Sequence, residues 1–169
     1  MVSVYVGIGS NVERERSIRG GVESLRSAFG DLVLSPVYES APVGFEGAPF
    51  YNLVAGFDSD LDPLALKAKL TEIERQHGRD REKQRFSERP LDLDLLLYGG
   101  LVTRIDGLAL PRPDIAHYAF VLRPLSDIAV DLRHPVNGRR IADLWASYDQ
   151  SRQPLCPVFL SLDRHEESA

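Results

Sequence analysis

The stretch Arg89–Gly99, RPLDLDLLLYG, sets Asp92 and Asp94 inside a run of leucines that otherwise has the make-up of a buried strand. Residues two apart on a strand share a face, with Cα atoms about 6.7 Å apart. Asp92 and Asp94 therefore point one way, while Leu91, Leu93 and Leu95 point to the core. Carboxylates leaning to about 5 Å from each other repel by about 3 kcal/mol at an effective dielectric near 20. Partial shielding from water adds a desolvation penalty. A divalent cation offsets both. Hard oxygen ligands favour Mg²⁺, which keeps several waters and takes further ligands from substrate phosphates. A D-x-D pair on an edge strand with one wet face has a plainer explanation, exposure to solvent, so its neighbours must decide.

The segment before it is basic. Arg75, Arg79, Arg81, Lys83, Arg85 and Arg89 stand against Asp80, Glu82 and Glu88, six cations against three acids, in a chain of net charge −5. From 79 to 85 the cations fall on odd positions, so an extended segment puts them on one side. Guanidinium forks match phosphate oxygens. By itself such a run is a solvated loop; next to paired aspartates it supplies the cationic half of a phosphoryl-transfer site.

The whole sequence has 169 residues, of which 43% are hydrophobic and 27% charged, the mix of a globular domain, and one is expected over 1–169. No apolar run is long enough for a membrane span, and the first residues lack the layout of a signal peptide. The lone Cys156 leaves no internal disulfide and no cysteine-rich zinc site, which suits a reducing cytoplasm. The acidic balance argues against a dedicated nucleic-acid binder. G-x-x-x-x-G-K-[ST] is absent, GIGSNV fails G-x-G-x-x-G, and the four histidines lack ligand spacing and read as surface or capping residues.

VSVYVGIGS reads as a strand, and Ile18, Val22, Leu25 and Phe29 as a helix face, capped by Ser10 or Asn11 and ended by Gly30. A strand over Leu32–Tyr38 and the proline/glycine loop ESAPVGFEGAP lead to FYNLVAGFD. There Tyr51, Leu53, Ala55 and Phe57 form the core face, and Phe50, Asn52 and Val54 the other. Asp62-Pro63 starts a helix with Leu66, Leu70 and Ile73 inward. The order β-α-β-β-α-β predicts an α+β, ferredoxin-like antiparallel sheet with helices packed on one side, plus C-terminal additions. These are short helices in VLRPLSDIA and GRRIADLWASY and an edge strand in CPVFLSLD, with 149–169 a C-terminal extension.

The motifs GIGSN, YESAPVG, PFYN, IERQHGRDR, RPLDLDLLLYG, FVLRPLSDIA and HPVNGRRIADL resemble the 6-hydroxymethyl-7,8-dihydropterin pyrophosphokinase family over roughly residues 2–148. GR-x-R followed by R-x-x-D-L-D is the specific part. The resemblance implies transfer of the β,γ-diphosphate of ATP to the pterin hydroxymethyl group, releasing AMP, in folate biosynthesis. It implies that Asp92 and Asp94 hold two Mg²⁺ ions. Phe50 and Phe120 sandwich the pterin, and Asn52 with Ser40, Ala41 and Val43 bonds its edge. Thr71, Glu74, Arg79, Arg81, Arg89, Leu95, Arg112 and Tyr118 line the ATP side, with Arg79 and Arg89 nearest the transferring phosphates. The basic segment and loop 39–49 are expected to close over a monomeric enzyme.

The chain departs from the family pattern at Phe86-Ser87-Glu88, where Trp-Gly-Pro is usual, at Arg112, where the ATP-contacting histidine is usual, and at Tyr118, which stands in place of an arginine. Three readings stay open at this point: the pyrophosphokinase, a pterin-binding relative with altered substrate or lost transfer, and a non-catalytic ferredoxin-like RNA-binding module.

Overall fold

The computed structural model describes residues 1–78 and 89–162. Arg79, Arg81 and the Phe86-Ser87-Glu88 departure lie outside the described residues, as does most of the basic segment. Among the described residues the order is β1 (Val2–Ser10), α1 (Arg14–Phe29), β2 (Val33–Leu34), β3 (Val37–Ser40), β4 (Phe50–Ser59), α2 (Pro63–Gln76), β5 (Asp92–Tyr98), β6 (Thr103–Ile105), β7 (Leu108–Leu110), α3 (Asp114–His117), α4 (Ala119–Ile128), α5 (Ile141–Ala146), a 3₁₀ turn (Gln150–Arg152) and β8 (Cys156–Val158). The main sheet is antiparallel, ordered β5-β1-β4-β3-β8, with β2 also on β4; β6 and β7 form a separate hairpin. The first four places are the ferredoxin-like arrangement expected from the sequence.

Period two decides which residues reach which face. Leu91, Leu93, Leu95, Leu53, Ala55 and Phe57 pack with Ile18, Val22 and Leu25 of α1 and Leu66, Leu70 and Ile73 of α2. The expectation of helices on one side holds for these two only. The additions cover the opposite face: Ile115, Leu122, Leu125 and Ile141 pack on Val54, Leu96 and Leu97. A bulge makes this second contact possible. The β1–β5 register slips between Tyr5 and Val6, leaving Leu96 without an opposite residue and turning Leu97 away from the side that Leu95 faces.

Two local expectations are corrected. The strand over Leu32–Tyr38 is broken into β2 and β3 at Ser35-Pro36, because proline has no N–H for the ladder; Ser35 bridges the gap by donating N–H to Val54 O and accepting Val54 N–H on Oγ. Neither Ser10 nor Asn11 caps α1. Glu13 holds that position at φ 42°, while Asn11 Oδ1 accepts the Arg89 N–H at 2.7 Å and Asn11 N–H donates to Arg89 O at 3.1 Å. The turn after β1 thus ties down the start of the aspartate strand. The α2 start is as expected, with Asp62 accepting the Ala65 N–H at 2.8 Å and Pro63 in the first turn. His77 meets Ser24 Oγ and ties the end of α2 to α1, while His134 Nδ1 accepts the Val136 and Asn137 N–H groups within its own turn.

Candidate active site

The sheet face not packed on α1 and α2 carries a cavity of about 440 Å³ between β3, β5, the 41–49 loop and the start of α4. Its floor follows from register. Asp92 lies opposite Gly9, which lies opposite Asn52, which lies opposite Tyr38; Asp94 lies opposite Gly7 in the next row. Directly opposed residues share a face, so Asp92 and Asn52 stand two strand spacings apart, about 10 Å, with only glycine between. A Cβ on Gly9 would touch Asn52 Oδ1 at 3.5 Å and Phe50 at 3.8 Å. Gly7 and Gly9 thus keep the floor low between an acidic end and an aromatic end.

At the aromatic end, Ser40, Ala41, Val43, Phe50, Asn52 and Phe120 all line the cavity. The Asn52 amide nitrogen donates to Tyr38 O at 3.2 Å and Ser40 Oγ at 2.8 Å, and both partners are fixed by β3. Its orientation is therefore set, and Oδ1 is presented on the Gly9 side as an acceptor. Phe45 meets Phe50 edge-on at 6.2 Å, and Phe120 stacks on Tyr118 at 5.2 Å. Tyr118, expected on the ATP side, is thus also part of the aromatic wall.

At the acidic end, Arg89 Nη1 contacts Asp92 at 3.3 Å. Arg112 spans Asp94 at 3.5 Å and Asp114 at 3.0 Å. Its backbone N–H donates to Leu96 O, the carbonyl of the bulge, which fixes Arg112 beside the aspartate pair. Burial foremost, then the charge of Asp92, pushes the Asp94 carboxyl up to about 7, and Arg112 opposes the rise. A third of the Asp94 side chain is still open to the cavity. Among the described residues no cluster of three or more metal-ligating side chains exists. Two carboxylates on one strand face, Asp94 raised by burial and by the charge of Asp92 and open on one side, fit a divalent cation that completes its shell with water and phosphate.

Not every residue expected at the ATP side reaches this cavity. Leu95 points to the helix-side core, as its odd position requires. Glu74 is 2% exposed, and its Oε2 accepts the Leu93 N–H at 2.8 Å, binding α2 to the sheet's outer strand. Thr71 is half-buried on the same helix and does not line the cavity. Arg89, Arg112 and Tyr118 do line it.

A family model described as 7,8-dihydro-6-hydroxymethylpterin-pyrophosphokinase (HPPK) matches residues 5–130. The chain belongs to the HPPK family. It is 40% identical over 156 residues to a 2-amino-4-hydroxy-6-hydroxymethyldihydropteridine pyrophosphokinase of Pseudomonas aeruginosa, covering 85% of this chain and 90% of that one. It is 32% identical to the Aquifex aeolicus protein of the same name, covering 94% and 98%. The folic acid synthesis protein fol1 of Pneumocystis carinii is 36% identical, but the chain spans only 21% of its length. In fold it is similar to wild-type HPPK-DHPS of Plasmodium falciparum solved with pteroate, at TM-score 0.71 and 14% identity, covering 87% of this chain and 42% of that one.

Within the HPPK fold, sequence reasoning missed Gly7, Gly9, Phe45 and Asp114. The strand reading of VSVYVGIGS includes both glycines but assigns them no part in a site. Their alternation with β-branched residues in VYVGIGS was the available signal. Phe45 is an aromatic residue inside a proline/glycine loop, which also marks it out. Asp114 stands two positions after Arg112 and pairs with it locally, but nothing in PRPD shows that the pair faces the cavity.

Proposed function

We propose that the aromatic end of the cavity holds 6-hydroxymethyl-7,8-dihydropterin and the acidic end the triphosphate of ATP, with the pterin hydroxyl directed at the β-phosphorus. The chain transfers the β,γ-diphosphate of ATP to that hydroxyl, releasing AMP, in folate biosynthesis. The observation that carries the assignment of ends is the Asp92–Gly9–Asn52 row, in which a flat floor separates a carboxylate pair from a fixed amide acceptor.

Phe50 and Phe120 clasp the ring, while Asn52 Oδ1 accepts an N–H from its edge. Asp92 and Asp94 would hold two Mg²⁺ ions, which would neutralise phosphate charge and polarise the reacting oxygens. Arg89 and Arg112 have two duties. Without nucleotide they are counter-ions to Asp92 and Asp94; with nucleotide, their forks are placed to turn to phosphate oxygens. Arg112 thereby fills the place of the family's histidine with another donor. Arg79 and Arg81 contribute further positive charge to the phosphates. In-line attack at phosphorus needs no covalent intermediate. Orientation of two substrates in one cavity supplies much of the rate.

Among the described residues no helix is long and apolar enough to cross a membrane. We take the enzyme to act as a cytoplasmic monomer and the chain as one catalytic domain. Incubation with ATP, Mg²⁺ and hydroxymethyldihydropterin is expected to release AMP in step with pterin consumption. Asp94→Ala is expected to remain folded and to release none. AMP release by folded Asp94→Ala at the unmodified rate would remove the aspartates from the mechanism.

A further inference from the structure

The segment after α5 is tied to two walls of the cavity. Helix α4 begins at Ala119, and Tyr118 at its N-cap makes no side-chain cap bond among the described residues. The N–H of the second helical residue is one of those a cap normally satisfies. That residue is Phe120, and its N–H donates instead to Gln153 Oε1 at 3.1 Å, from 33 positions further along the chain. Four residues beyond the 3₁₀ turn, β8 pairs with β3, Val158 opposite Val37 and Cys156 opposite Glu39. Strand β3 supplies the Tyr38 carbonyl and Ser40 hydroxyl that fix Asn52. Past β8, Arg19 donates to Ser161 O and Arg26 to Leu162 O, and Val158, Leu160 and Leu162 pack against the helix-side core. Tyr148, just before the segment, donates its hydroxyl to His117 O at the end of α3. The family match stops at residue 130.

We propose that residues 149–162 are a positioning strap for the pterin end of the site, with Gln153 acting as a remote cap that sets the ring of Phe120. This rests on the assignment of that end to the pterin. A helix start without its cap frays over the first turn, and the first turn of α4 is where Phe120 sits. Where the strap meets the cavity its bonds go to Phe120 and to β3, both at the aromatic end, and its other end is anchored on Arg19 and Arg26 of α1, whereas Asp92, Asp94 and Arg112 are held by Asn11, β1 and the Leu96 bulge. Its loss therefore acts on one substrate and spares the other.

The test compares Gln153→Ala and Gln153→Glu with the unmodified full chain. Gln153 is half-buried, and neither change removes core volume. Binding of 6-hydroxymethylpterin is followed by its fluorescence in the presence of Mg²⁺ and α,β-methylene-ATP, whose bridging carbon blocks the bond that would break. Gln153→Ala is expected to weaken pterin binding roughly five- to tenfold, to raise the pterin KM with little change in kcat, and to leave the ATP KM unchanged. Gln153→Glu keeps the acceptor oxygen at a helix N-terminus and is expected to bind as the unmodified chain does. Phe120→Ala is the control for the pocket itself. If Phe120→Ala loses pterin while Gln153→Ala keeps it, or if Ala and Glu at 153 weaken it equally, the strap is overturned. If Phe120→Ala also keeps full affinity, the pterin assignment fails and the strap falls with it.

Discussion

Burial and Asp92 raise the Asp94 carboxyl from its ordinary value to about 7, so folding favours the neutral acid where the proposed metal role needs the anion. Below about pH 4 the group is neutral both folded and unfolded and adds nothing. As pH rises towards 7, the unfolded chain ionises while the folded one resists, and stability falls. Relative to Asp94→Asn, metal-free protein is therefore expected to lose thermal stability between pH 4 and pH 7, and Mg²⁺ with nucleotide to restore part of it. Asp94→Asn removes the ionisation and should melt higher than the unmodified, metal-free protein at pH 8, while releasing no AMP. A lower melting temperature for the Asn variant would mean that Asp94 is stabilised as an anion, contrary to its surroundings. The conflict was visible in LDLDL, because strand period alone puts two acids on one side. The answering cation Arg112 was singled out only through the family resemblance, since its approach to Asp94 depends on a bulge and a turn that no local pattern encodes.

Strand β1 illustrates the same limit for a whole element. Its inward residues Val4, Val6 and Ile8 are buried, and period two identifies them directly. Its other face carries Gly7 and Gly9, which weaken an isolated strand, since glycine brings conformational entropy and no side chain to pack. The role of these glycines emerges only when Asp92 and Asn52 are placed on either side. Gly9→Ala is expected to leave the fold intact, because the added Cβ meets its neighbours at ordinary contact distances. Its methyl group would then stand on the floor over which the pterin is proposed to lie. The pterin KM should rise at least tenfold, and circular dichroism should match the unmodified protein. Normal pterin kinetics in that variant would show that the ligand does not cross the floor. The ferredoxin-like order was legible because β1, β4, the first half of β5 and the two helices α1 and α2 each kept a clean period. The break at Ser35-Pro36 and the Asn11–Arg89 tether were not, because hydrogen bonds between separate segments decided them over local preference.

Two hydrophobic clusters on opposite faces of one sheet give the molecule two separable duties. The cluster under α1 and α2 holds the sheet together and touches the site only through the backs of its strands. The cluster under α3, α4 and α5 seats the helix that carries Phe120. Leu25 and Leu122 are almost fully buried, one in each. Replacing either with alanine removes the same atoms and leaves a cavity, so each should cost about 2–5 kcal/mol on unfolding. Their effects on catalysis should differ. Leu25→Ala is expected to keep the pterin KM, since α1 meets the site only through the sheet. Leu122→Ala loosens α4 two residues from Phe120 and should raise the pterin KM several-fold while leaving the ATP KM close to its starting value. Urea unfolding and steady-state kinetics on the two variants give both quantities. Equal losses of stability with equal pterin KM values would mean that the additions over the second face only cover apolar surface. Equal stability with divergent KM would show that the helices added beyond the ferredoxin-like core build the substrate pocket.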